Sequence, residues 1–305
     1  MPTPLFNLDN NKQFEVEIGQ WLLSLDFKCV VLLGAEDYFT TLAVLDGDKQ
    51  LLDIKLITLK SWDLETSKEE LSAYRYRQVE LRNSNISSII IWEDLWNGKK
   101  DIIKSRIKSI LGMSDRIPAR LTKSVRIDKE TASHFLSKNH LQGYVQAKYK
   151  YGLYLPAQYF RVLPSDYQFN AVNDKVLVAV ATFSRPRIFQ KDDKPFRSYE
   201  LIRFASLVDI TVVGGLDKLL NAFTKDVEPD DIMTYADKEW SDGRSYERLG
   251  FVKISELGPV MFSLNIKTNE RHSLQKTVSG ENLIELCNGG SIKFVKSINK
   301  KFTES

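Results

Sequence analysis

Asp53-Ile54-Lys55 stands inside the apolar run QLLDIKLITL, residues 50–59. In a strand, residues two apart share a face. The carboxylate and the ammonium therefore emerge side by side, one suited to hold Mg²⁺ and the other to orient a nucleophilic water. A second candidate is VVGGLDKLL, residues 212–220, where a strand closes on two glycines before a helix. Gly214 and Gly215 let the backbone turn tightly and approach a ligand, and the N–H groups at a helix start favour an anion such as a pyrophosphate. A glycine turn with no ligand is the plain alternative. A third is SYERLGF, residues 245–251, which presents Tyr246 at a helix end; a packed aromatic with its hydroxyl bonded is the alternative there. In SAYRYRQVELRN, residues 72–83, Arg75, Arg77 and Arg82 mix with Tyr74 and Tyr76, which suits phosphate contact and stacking or simply a solvated helix face.

These side chains need elements to hold them. From Gln13 to Leu25, Phe14, Ile18, Trp21, Leu22 and Leu25 recur at helical spacing. The β-branched runs KCVVLLG, YFTTLAVL and QLLDIKLITL follow, the last two joined through an Asp-Gly turn, and predict strands with a hairpin. SKEELSAYRYRQVELRN returns to the helical period, ISSIIIWED is a buried strand, and KKDIIKSRIKSILG is a helix closed by Gly112. The order α, β, β, β, α, β, α makes an α/β or α+β unit.

MSDRIPARLTKSVRI mixes charge, proline and small residues, as a boundary does. The spacing predicts two domains, residues 1–114 and 125–305, with 115–124 as linker. The second opens with the capped helix DKETASHFLSKNHLQG and continues through strands, the glycine turn with its helix, the strand DIMTYAD, the helix end SYERLG and the strands FVKISEL and VMFSLN.

A chain of 305 residues, 43% hydrophobic and 27% charged, holds enough apolar side chain for real cores and shows no bias to disorder. The net charge is +3, so nucleic-acid contact must come from local patches such as KSRIKSILGMSDRIPARLTKSVR, residues 104–126. Cys29 and Cys287 match no metal spacing and are expected as reduced thiols. No run approaches the length of a membrane span. The expected compartment is the cytoplasm, that of the host if the chain is phage-encoded.

The order of strand, strand, glycine turn with helix, strand and YERLGF resembles the GNAT acyltransferase fold. The resemblance implies Tyr246 as the general acid that protonates a leaving thiolate. It places Val213, Gly214, Gly215 and Leu216 at the pyrophosphate of acetyl-CoA or another acyl donor, although the usual Gly-x-Gly spacing is not kept. A narrower resemblance covers much of residues 130–275. NHLQG, VAVATFSRPR, YELIRFAS, VVGGLDKLL and MTYADKEWSDGRSYERLGF are similar to a phage group that includes the Mom DNA-modification proteins and chains labelled homing endonuclease. That likeness implies Arg203, Asp237 and Tyr246 as functional residues. Asp237 is suited to accept a proton from a base amine and Arg203 to hold a carboxylate or phosphate bidentately, or the two form a structural salt bridge. His140 falls near the start of the region; a cap or core role stands beside a catalytic or metal one.

The first unit, with its opening helix, a hairpin ending in D-x-K and SIIIWEDLWNGKKDIIKSRIKSILG, resembles the PD-(D/E)XK nuclease core and the very-short-patch-repair endonucleases. The resemblance implies Mg²⁺ at Asp53 and Lys55 beside the water; Asp37 serves as the partner acid if the strand register is longer than the hairpin alignment gives. Thr41 or Ala43 stands where that partner acid is usually found. Three readings follow: a DNA-directed group-transfer enzyme whose first domain contacts DNA; a Mg²⁺-dependent, homing-type endonuclease; and a non-catalytic DNA-binding protein. The favoured one is transfer, as an acyl-type modification of a DNA base.

Overall fold

The computed structural model describes residues 3–4, 13–32, 38–165, 167–168, 174–273 and 282–298. It has a mixed α/β fold. The chain divides into two compact units, residues 1–100, 236–242 and 256–292 forming the first and 101–235, 243–255 and 293–305 the second. This division runs through the 125–305 segment rather than along a single linker.

The chain opens with β1 (Thr3–Pro4), α1 (Gln13–Leu23), β2 (Lys28–Leu32), β3 (Thr41–Asp46), β4 (Lys49–Ile57), α2 (Leu64–Asn83), β5 (Ser87–Trp92) and α3 (Glu93–Ile110). From α1 onward the element order is the one the hydrophobic periods predict; β1 is an addition they do not foresee. β1 to β5 form a five-stranded sheet in chain order. β3 and β4 are the expected hairpin, with Gly47 at φ +58° in its turn, and β4 pairs parallel with β5. Helix α3 kinks at Lys99, whose φ and ψ are −141° and 31°.

The second stretch contains β6 (Asp115–Pro118), β7 (Lys123–Arg126), α4 (Lys129–Asn139), β8 (Tyr149–Pro156), β9 (Lys175–Phe183), β10 (Arg187–Lys191), β11 (Lys194–Ser206), β12 (Ile210–Val213), α5 (Gly215–Val227), β13 (Asp231–Asp237), α6 (Arg244–Glu247) and β14 (Val252–Leu257). Then come β15 (Met261–Asn265), β16 (Glu270–Ser273), β17 (Leu283–Cys287) and β18 (Ser291–Ser297). The larger sheet runs β14-β18-β13-β11-β9-β8-β7, with β10 paired to β11. α4 covers one face, packing Ala132, Phe135 and Leu136 on Val180 and Ala205. On α5, Phe223 stacks on Phe183 at 3.9 Å and meets Tyr149, Tyr151 and Tyr199 edge-on. Phe183 lies next to Thr182 on β9 and so points to the other face.

In the first unit the small sheet β16-β15-β17 closes a core of Trp92, Tyr74, Phe262, Leu264 and Leu286. Arg271 grips the fully buried Asp94 through two bonds of 2.6 and 2.8 Å while its guanidinium lies over Phe262 and Trp92. Glu239 is buried with them, its Oε1 accepting from Trp92 Nε1 at 3.1 Å and Gly289 N at 2.7 Å. Burial, and then the Asp237 charge, push its carboxyl from 4.5 up to about 8. An acid held above its unfolded value stabilises the fold fully below pH 4.5, and that contribution is lost as pH rises through about 8. Glu239→Gln keeps the accepting oxygen without the proton, so its stability is expected to vary less with pH across that window; thermal melts at several pH values check this.

Candidate active site

The sequence places Asp53 and Lys55 on one face of β4, and the structure agrees, but α2 already occupies that face. Asp53, with no exposed surface, accepts from Tyr74 Oη at 2.7 Å, Arg77 Nη2 at 2.6 Å and Gln50 Nε2 at 3.2 Å. Lys55 Nζ meets Glu70 at 2.5 Å and the Phe39 carbonyl at 3.1 Å. Glu70, Tyr74 and Arg77 recur at i, i+4 and i+7, the single stripe a helix offers. The residues present therefore do not fit Mg²⁺: the acid is neutralised by an arginine and the lysine by a glutamate. Among the described residues no group of three His, Cys, Asp or Glu is placed to hold a metal. Asp37 lies outside the described residues. Tyr74 and Arg77, read as phosphate contacts, point instead at Asp53.

Two outcomes follow for this buried pair. Glu70→Ala strands the Lys55 ammonium and is expected to cost about 3–5 kcal/mol, read as a lower urea midpoint. Adding Mg²⁺ is expected to leave the melting temperature of the unaltered protein where it was, since a ligand stabilises only a fold that binds it.

The second unit gathers a different set. β11 and β13 pair in parallel through Ser198–Asp231, Tyr199–Ile232 and Glu200–Met233, and the ladder stops there although both strands continue. The Thr234 hydroxyl donates to the Leu201 carbonyl at 3.0 Å, filling the place of the next rung. At the same point β11 carries a bulge: Leu201 opposes Phe183 and Arg203 opposes Thr182, leaving Ile202 extra. A bulge shifts the in-out parity of a strand. Arg203 and Ala205 thus fall on the face covered by α4, together with Glu200; without the bulge Glu200 and Arg203 would lie on opposite faces.

His140, the C-cap of α4, accepts the Gln142 N–H on Nδ1 at 3.1 Å, so the neutral ring carries its proton on Nε2. Burial, then the cations Arg203 and Arg106, lower its pKa to about 3. It is a neutral donor at physiological pH, not a proton acceptor. Tyr246 on α6 is half-buried, and the desolvation of its hydroxyl raises its pKa; the Thr234 bond, Arg106 and Arg203 pull it back. Its ring packs on Phe251 and Phe294 at 5.6 and 5.8 Å. The structure thus brings Arg203, Tyr246 and His140 together, and adds Arg106 and Thr234, which sequence reasoning missed. Asp237, at the end of β13, is counted with the first unit, where its Oδ1 accepts the Glu239 N–H at 3.0 Å.

At the start of α5, Gly214 is the N-cap at φ +76°, with no side chain bonded to the first turn. A Cβ on Gly215 would sit 3.0 Å from Val212, so the glycine permits a close turn. These backbone groups fit a phosphate. The nearby Lys218 does not reach it, being tied to the carbonyls of Ala119 and Thr122. Asp217, in the same turn, is bonded to Asn221. The arrangement supplies a protonated phenol, an imidazole N–H and two guanidiniums beside parting strands, a set of donors suited to an anion.

No protein-family model and no curated protein matches the sequence. Among solved structures, the NatC complex bound to Gag peptide and CoA is 7% identical, over 58% of this chain and 99% of that one, at a TM-score of 0.31. An acetyltransferase structure from Corynebacterium glutamicum, described as histone acetyltransferase HPA2 and related acetyltransferase, is 13% identical over 59% and 98%, at 0.33. Arabidopsis thaliana NAA60 in complex with a bisubstrate analogue is 10% identical over 58% and 99%, at 0.33. These values are too low to carry an inference about this chain.

Proposed function

We propose that the second unit transfers an acyl-type group from a thioester donor of the coenzyme A class to a base of DNA, with the first unit contributing DNA contacts. The observation that supports this most is the ladder between β11 and β13, which ends after three pairs beside Tyr246 and Arg203. Backbone groups freed where strands part suit an extended ligand lying between them. The donor, when bound, supplies the activated acyl group; Gly214, Gly215 and the flanking Val213 and Leu216 would hold its pyrophosphate. Arg203 and Arg106 stabilise negative charge, His140 donates from Nε2, and Tyr246 gives its proton to the departing sulfur. The amine proton passes to solvent; Asp237, which the resemblance names for this role, belongs to the first unit.

The test is mass spectrometry of nucleosides from DNA incubated with the protein and acetyl-CoA, alongside calorimetry of CoA binding. A new nucleoside heavier by one acyl group supports the reading. CoA bound without any modified nucleoside moves the acceptor away from DNA, and absence of CoA binding overturns the transfer.

A further inference from the structure

A cleft of about 410 Å³ opens beside the β10–β11 hairpin, against β13 and β18. Strand alternation puts Arg187, Phe189 and Lys191 on one side of β10, opposite Ser198, Phe196 and Lys194 of β11. Ser198 is in turn opposite Asp231. Lys293 of β18 completes the wall. Phe189 is 54% exposed, a ring face offered to solvent on a strand paired to β11 alone among the described residues. Asp231 is the one acid in the lining. Its Oδ1 is buried with no hydrogen-bond partner, and burial raises its pKa against the pull of Ser198 and Lys293. Three cations, one open aromatic face and one buried acceptor are therefore gathered in one cleft. The last rung between β11 and β13 is two residues beyond Asp231, about 7 Å along the strand.

We propose that this cleft binds a nucleotide unit of a single-stranded nucleic acid, the base stacked on Phe189, its exocyclic amine donated to Asp231 Oδ1, and the flanking phosphates held by Arg187, Lys191 and Lys293. Each feature matches one part of that ligand: rings stack on exposed aromatics, cations take phosphates, and a buried acceptor selects an amine. An acidic peptide would satisfy the cations and leave the ring face and Asp231 unused. The binding does not rest on the transfer proposed above.

Fluorescence anisotropy with labelled oligodeoxynucleotides tests it. Oligo(dC) and oligo(dA), whose bases carry amines, are expected to bind more tightly than oligo(dT), and Asp231→Asn to reduce that preference. Phe189→Ala is expected to weaken binding about 10-fold with an unchanged melting temperature and unchanged CoA affinity. Arg187→Gln with Lys293→Gln is expected to flatten the salt dependence. Equal binding by Phe189→Ala, equal binding of oligo(dT), or displacement by polyglutamate as readily as by oligo(dC) would overturn the assignment. Strand binding without CoA binding would leave the cleft standing and remove the transferase reading; CoA binding without strand binding would do the reverse.

Discussion

Tyr246→Phe is expected to slow transfer by about 100-fold or more, the usual worth of a positioned acid, while the affinity for CoA stays unchanged. Phe keeps the ring against Phe251 and Phe294 and deletes only the proton donor. The effect should therefore appear in kcat, measured as thiol release, and not in the melting temperature by more than the loss of one hydrogen bond, about 1 kcal/mol. The pH dependence carries a second check. Desolvation of its hydroxyl raises the Tyr246 pKa above its ordinary value of 10 more than Thr234 and the two arginines lower it, so the acid form persists throughout the neutral range. An alkaline limb near neutrality would have to come from another group, and His140, held neutral down to about pH 3, does not supply one. If Tyr246→Phe transfers as fast as the unaltered protein, the proton comes from elsewhere and the assignment fails.

Periodicity was enough to reveal what is local. The two-residue alternation in QLLDIKLITL put Asp53 and Lys55 on one face, and the helical period of SAYRYRQVELRN fixed α2. Neither pattern says that the two elements face each other, and that contact is what turns D-x-K into two ion pairs, Lys55 buried with Glu70 and Asp53 capped by the part-exposed Arg77. Arg106 was illegible for the same reason: in KSRIKSILG it reads as any cation on an amphipathic helix, and only the fold brings it near His140 and Tyr246. The bulge at Ile202 leaves no mark in composition, yet it decides which face Arg203 occupies. The β10–β11 hairpin escaped because its turn is Asp192-Asp193, both left-handed at φ +50° and +57°, where Asn-Gly or Asp-Gly is the usual signal. The glycine turn and SYERLGF were legible as motifs because a positive φ and a helix end are encoded by neighbours in sequence.

The geometry around Tyr246 depends on Gly243, and Gly243→Ala is expected to destabilise the protein by about 2–5 kcal/mol. The residue is the N-cap of α6 at φ +84°, a region that costs an L-residue with a Cβ roughly 1–2 kcal/mol. A Cβ there would lie 2.1 Å from Phe294 Cζ, and Phe294 is wholly buried, so the ring must move at the overpacking cost of about 1–3 kcal/mol. Phe294 also packs on Tyr246, and the Gly243 carbonyl accepts the Tyr246 N–H at 2.9 Å. Displacing the ring therefore displaces the proposed acid. Gly243→Ala should lose both stability and transfer, whereas Tyr246→Phe should lose transfer alone. Pairing Gly243→Ala with Phe294→Leu removes most of the steric conflict but leaves the backbone strain, so the double variant is expected to recover part of the melting temperature. No recovery would show that the strained backbone, and not the Phe294 ring, dictates glycine at this position.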